Sequence, residues 1–408
     1  MKAYNDEWIY NRELVRQAER WHKRGLLTDA QIGTVQQNYP LGFRQTNGIL
    51  EVGLFLFTTL AILGTFLLTT TLVSGLLDER TSFGTVSVVF SLGLGVLGQQ
   101  LINRRLLYRN GVDNAIAVLA AGFLVLGLLM FLPENLRLST YCLAALPILL
   151  LGLWYYGDTI LAFLSLATFY TFVFNGMLAF SWGKDALPFV MMAVSGGLYG
   201  LSRSRWLVGG PGDTLTKAQT YYADPINLME SLSLVVLIAS GNYFVVRELN
   251  GLLLESTPDR PRFAEAPEIG LPALFWLLTF LIPGACFGYG LRTRNRILLS
   301  MGALGLVAAV ATLHEYAAIV SLNTALTLGG LALIGIAVGC IRYLQSRPAD
   351  QTRGRFSDTP DDDSPAGILG HADTIAAIQA ATQAQPAQRE SLRFGEGNFG
   401  GGGSEGRY

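Results

Sequence analysis

Charge is scarce in this chain, and so are histidine and cysteine. Of 408 residues, 14% are Asp, Glu, Lys or Arg, against 51% hydrophobic. That balance excludes an ordinary soluble protein of this length and points to a membrane body. The formal net charge of −1 leaves no basic excess for a nucleic-acid partner. Cys142, Cys286 and Cys340 each lie in an apolar run, and His22, His314 and His371 fall in separate regions. There is no CxxC and no Cys/His pair at metal spacing, so neither a disulfide framework nor a zinc site is expected. HExxH, GxSxG and Gly-Lys-Ser/Thr strings are missing too. No catalytic residue, metal or cofactor is therefore assigned. Gly210-Pro211-Gly212-Asp213 matches the GxGD string of intramembrane aspartyl proteases. Those enzymes need two aspartates facing each other inside the bilayer, whereas this Asp sits in a Pro/Gly-rich loop and reads as a turn.

Long apolar runs fill the middle of the chain. The first, Ile49–Leu77, holds one acid, Glu51, and no base. It exceeds the roughly 20 residues a helix needs to cross hydrocarbon. Nine similar runs follow, approximately Phe83–Ile102, Val112–Leu132, Leu138–Trp154, Thr159–Phe180, Ala186–Leu201, Ile226–Val246, Ile269–Leu291, Ile297–Leu313 and Ala318–Ile341. The expected fold is an all-α polytopic bundle of about ten transmembrane helices over residues 49–346. The arginines support the count. Arg104, Arg105 and Arg109, then Arg203 and Arg205, then Arg292, Arg294 and Arg296 fall in alternate loops, which places both termini in the cytoplasm by the positive-inside rule. The long outer loop, Arg247–Glu268, carries more acids than bases. Trp154-Tyr155-Tyr156, Trp182, Trp206, Tyr221-Tyr222, Tyr316 and Tyr343 sit where interfacial aromatic belts are expected.

Residues 1–48 read as a cytoplasmic helical hairpin. Asn5-Asp6 caps a helix to about Arg24 with Trp8, Leu14, Ala18 and Trp21 roughly on one face, and Thr28-Asp29 caps a second, Ala30–Tyr39. Two short helices bury too little to stand alone. The hairpin is expected to lean on the membrane face, a second copy or another protein. Residues 347–408 form an acidic, Pro-punctuated linker and a Gly-rich tail, expected to be disordered. Phe394, Phe399 and Tyr408 are what a partner would read.

Candidate functional positions are few. Asn175 and Glu230 are the polar residues within spans to test first, because an ionisable or strongly polar group at depth is a functional hypothesis by default. Pro283-Gly284 interrupts the eighth span, and a broken helix there would suit a transport site. Small-residue spacings such as Gly196-xxx-Gly200, Gly284-xxx-Gly288 and the Gly93, Gly95, Gly98 set predict close helix packing within the bundle, with homo-oligomerisation as the second reading. His314-Glu315-Tyr316 reads as a polar turn.

Two stretches carry a family resemblance. One is Trp21-His-Lys-Arg-Gly-Leu-Leu-Thr-Asp-Ala-Gln31, followed by Tyr39. The other is Gly288-Tyr-Gly-Leu-Arg-Thr-Arg-Asn-Arg-Ile-Leu-Leu-Ser-Met-Gly302, followed by Tyr316. Both are similar to the bacterial membrane proteins grouped as domain of unknown function 2157. The resemblance implies a bacterial cytoplasmic-membrane location and carries over no catalytic residue. The reading is a non-enzymatic membrane organiser or sensor that meets a protein partner through its hairpin and tail. The alternative is a small-solute transporter or channel using the Pro/Gly-kinked helix.

Overall fold

A computed structural model describes residues 3–23, 25–43, 48–73, 79–204, 221–255, 266–293 and 295–317, with isolated helical positions 327, 330, 331, 334, 335, 338, 339 and 342. Two helices precede the bundle: α1, Asp6–Lys23, and α2, Asp29–Asn38. Thr28 caps α2 in a reciprocal capping box with Gln31, which satisfies two otherwise orphaned donors. Ten more helices follow: α3, Gly48–Val73; α4, Glu79–Arg105; α5, Val112–Phe131; α6, Leu138–Tyr156; α7, Thr159–Met177; α8, Gly183–Ser202; α9, Ala223–Gly241; α10, Tyr243–Glu255; α11, Pro272–Thr293; and α12, Arg296–Ala317. Among the described residues every regular element is a helix.

Eight of these, α3 to α7, α9, α11 and α12, are long and apolar enough to cross a bilayer. The architecture is that of a polytopic membrane protein. α8 matches another expected span, but Lys184 and Asp185 in its first turn lower its hydropathy. It nevertheless packs between α7 and α9. The expected tenth span, Ala318–Ile341, falls largely outside the described residues, as do the 210–213 turn and the whole tail.

Bonds at the helix ends fix the alternation. Arg80, at the start of α4, donates to the Met130 carbonyl at 2.7 Å and pairs with Glu134, both at the far end of α5. At the other end Arg109 pairs with Asp224, and Asn295 donates to Glu230 at 2.6 Å. Arg104, Arg105, Arg109, Arg203, Arg292 and Arg296 therefore gather at one end of the bundle, called here the Arg-rich end. α9 is the hub, touching α7, α8, α10, α11 and α12, while α3 to α6 pack in sequence on the other side of α7.

Some expectations need correction. The seventh span does not run to Val246. It stops at Gly241 because the Asn242 side chain accepts from the Val245 N–H and hydrogen-bonds Thr312, turning the chain into α10. The outer loop is accordingly helical to Glu255. His314-Glu315-Tyr316 lies within the last turn of α12 and is not a separate turn.

The packing glycines also differ from those chosen by spacing. Gly93, Gly95, Gly196, Gly200, Gly284 and Gly288 face no described neighbour, and of that set only Gly98 packs, on Ile116. The tight contacts are Gly127 against Val88 in the α4–α5 hairpin and Gly302 against the Phe287 backbone in the α11–α12 hairpin. Spacing marks a small-residue face, but a facing bulky residue decides whether it is used.

Candidate functional site at the Arg-rich end

The turn between α4 and α5 is unusual for its length and burial. Leu106 and Arg109 both have left-handed backbone, with φ of 53° and 49°. Non-glycine residues there cost of order 1–3 kcal/mol each and persist only where the surroundings over-determine them. Gly111 follows at φ 89°, so close to α3 that a Cβ would stand 2.1 Å from the Glu51 carbonyl oxygen. Leu107, Tyr108 and Asn110 within the turn are buried.

Asp113, 2% exposed, holds this turn together. Its Oδ1 accepts from the Asn110 N–H at 2.8 Å, and its Oδ2 accepts from the Arg109 N–H at 2.8 Å. The Tyr4 hydroxyl also donates to Oδ2, at 2.8 Å, from 109 residues away. Three donors on one carboxylate satisfy a charge that would otherwise be expensive to bury. Burial, then the neighbouring Asp113 carboxylate, pushes the Tyr4 phenol well above its ordinary value.

The amino-terminal segment is thus inserted into the end of the bundle. The Ala3 N–H donates to the Tyr155 carbonyl at 3.1 Å, and the Gln99 amide, itself held by the Tyr155 hydroxyl, donates to the Ala3 carbonyl at 3.4 Å. Ala3, Tyr4 and Ile9 pack with Ile102, Tyr108 and Tyr221, flanked by Phe43, Tyr155, Tyr156 and Tyr222. Tyr4 and Phe43 both meet Tyr108 edge-on, with centroids 4.9 and 5.1 Å away. Tyr155, Tyr156, Tyr221 and Tyr222, expected near a membrane interface, line this socket. Sequence position sets their depth but not their direction around the helix.

The neighbour the hairpin leans on is therefore its own bundle, which is none of the three expected. Its buried face also differs from the expected one: Ile9, Asn11, Val15 and Ala18 are buried while Trp21 is exposed. Asn11 can turn inward because its amide donates to the Pro40 carbonyl at 3.1 Å.

Further charges ring the socket. Arg109 pairs with Asp224. Burial draws its pKa down, but Asp224 and then the Tyr108 phenol outweigh that and raise it. Asn114 donates to Glu51 at 3.3 Å. Asp158 caps α7 through the Ile160 and Leu161 N–H groups. Burial raises its pKa, opposed by those two bonds. Arg12 lies over the Tyr108 ring at 5.2 Å, and its pKa is lowered by burial.

The positions singled out from sequence do not converge. Asn175 donates to the Thr171 carbonyl of its own helix. Glu230 is buried near the Arg-rich end, bonded to Asn295 and 3.8 Å from Arg203. Asn175 and Glu230 differ by about 14 Å in distance from the helix starts, at ~1.5 Å per residue. Pro283 is buried, and α11 continues helical through it. Its ring packs on Gly305, while Gly284 faces open space among the described residues. Sequence reading missed Tyr4 and Asp113 as a pair. The available signal was Asn110-Gly111 followed, after Val112, by Asp113-Asn114 at the mouth of a span. Comparison with protein-family models, curated proteins and solved structures finds no match to this chain.

Proposed function

We propose that the chain is a non-enzymatic, multi-pass protein of the bacterial cytoplasmic membrane, with both termini cytoplasmic, that organises or senses through its hairpin and tail. One observation carries this reading. Ala3 and Tyr4 are locked into the bundle, while α2 buries no residue and leaves Leu26 and Tyr39 exposed beside it. A partner touching α2 would pull on a segment bonded to Asp113. The Arg-rich end supports the orientation, and the resemblance to domain of unknown function 2157 supports the location. Complementation of a gene-deletion strain tests the reading. Removing residues 1–48 or 347–408 abolishes rescue, whereas Glu230→Gln and Asn175→Ala retain it. Full rescue by both truncations removes the organiser.

A second reading, passage of a small solute, is favoured by a cavity of about 540 Å³ between α9, α10 and α12. Ile238, Gly305, Asn242 and Thr312 line it, and Pro283 packs on Gly305. Flux in liposomes that Gly305→Leu blocks and the truncations spare selects this reading over the first.

A further inference from the structure

Arg12 stands apart from the other charges of the socket. Arg109 has Asp224, Arg203 has Glu230 and Arg20 has Glu13. Among the described residues Arg12 makes no ion pair. It is partly buried and fixed over the Tyr108 ring, which Arg109 also approaches at 6.0 Å. Two like charges, Arg16 and Arg109, lie within electrostatic reach. Glu51 lies near enough to feel Arg12 but makes no ion pair with it, and it accepts from the Asn114 amide. A guanidinium held out of bulk water beside like charges is costly unless an anion completes it.

Two more cations belong to the same end of the bundle. Arg104 and Arg105 end α4, four and three residues before Tyr108. Both are exposed and make no ion pair among the described residues. The level in the bundle is also telling. α3 begins at Gly48 with Ile49 91% exposed, so hydrocarbon starts there, and Arg105 closes a neighbouring span. This is the depth at which lipid headgroups lie. Guanidinium presents a planar fork that matches phosphate oxygens two at a time, and the ring beneath Arg12 holds that fork in one orientation.

We propose that Arg12 binds a phosphate group at the Arg-rich end, carried either by an anionic lipid headgroup or by a soluble phosphate. The site needs no protein partner, so it stands or falls separately from the organiser reading. The phosphate neutralises Arg12 and braces α1 against the α4–α5 turn.

The test compares thermal unfolding of the full chain at constant ionic strength in three settings: phosphatidylcholine nanodiscs, the same discs with phosphatidylglycerol, and phosphatidylcholine discs with inorganic phosphate. Tryptophan emission serves as the readout, because Trp8 packs on Phe43 and through it on Tyr108. A midpoint raised by phosphatidylglycerol alone assigns the site to headgroups; one raised by inorganic phosphate alone assigns it to a soluble anion; both shifts leave the phosphate site with two sources. No shift in either setting overturns the proposal. Arg12→Gln is expected to abolish the shift, while Arg292→Gln, on the other hairpin, retains it. A wild-type shift in Arg12→Gln also overturns it. If Arg12→Gln does not fold, phenylglyoxal labelling of the wild-type protein decides. The effective anion protects Arg12 and leaves Arg292 reactive; equal labelling of Arg12 with and without anion refutes the site.

Discussion

Two hairpin turns meet α9 at the same end of the bundle, and they are built on different principles. The α11–α12 turn is short. Asn295 accepts from the Ile297 and Leu298 N–H groups, capping α12, while its amide reaches Glu230. The α4–α5 turn is long, takes two non-glycine residues into left-handed backbone, and is held by a buried carboxylate whose third donor comes from the amino-terminal segment. Each turn reaches one acid of α9, Asp224 or Glu230. A capped turn needs only its own residues. The strained one depends on a part of the chain that folds outside the membrane. On the organiser reading proposed above, the first hairpin is the responsive one and the second a fixed joint.

Breaking the first turn outright has the largest expected effect. Gly111→Ala places a methyl 2.1 Å from the Glu51 carbonyl oxygen, at a φ that L-residues rarely adopt. Backbone has to move, and the loss should exceed about 3 kcal/mol, in the range of severe strain. Size-exclusion chromatography in detergent should show aggregate in place of a single folded peak. A normal peak with an unchanged unfolding midpoint means that α3 and the turn are not packed as described.

The two acids then sharpen the contrast. Asp113→Asn sets an NH₂ group against one or two of three donors, costing about 2–4 kcal/mol. Glu230→Gln keeps an acceptor for Asn295 and loses only a 3.8 Å approach to the half-exposed Arg203, about 1 kcal/mol or less. Midpoints measured in one nanodisc composition should fall further for Asp113→Asn. Equal losses, or the reverse order, would erase the distinction between responsive turn and joint.

The bundle was legible in the sequence and the socket was not, for a physical reason. Lipid-crossing helices announce themselves by length and apolarity, and arginine placement fixes their alternation without tertiary information. In the sequence Asp113 cannot be told from an ordinary interfacial polar residue, because depth is all that a single span reports. Its role depends on Tyr4, which no local pattern links to it. Asn242 was hidden likewise: the apolar run continues to Val246, and the contact with Thr312 on a distant helix, beside the local bond from the Val245 N–H, shows why α9 ends.

A milder change separates the segment from the turn it covers. Tyr4→Phe keeps the edge contact with Tyr108 and removes one hydrogen bond to a carboxylate, about 1.5–3 kcal/mol. The loss is local, so limited proteolysis should cut residues 1–43 faster while the bundle's midpoint changes little. Unchanged cleavage shows that the socket holds the segment without this bond.

The smallest effect should come from pH. The Tyr4 phenol is raised above its ordinary value near 10, chiefly by burial and then by Asp113. A group whose folded pKa lies above its unfolded one stabilises fully below the unfolded value and loses that contribution as pH climbs toward the folded value. Cleavage of residues 1–43 should therefore stay flat from about pH 8 to 10 and rise only beyond, as phenolate becomes the favoured form of the released segment. Tyr108 is a second phenol in the same socket, so the control is Tyr4→Phe, in which the alkaline rise should shrink. A rise of the same size in that variant leaves the Tyr4–Asp113 bond without a part in holding the first turn.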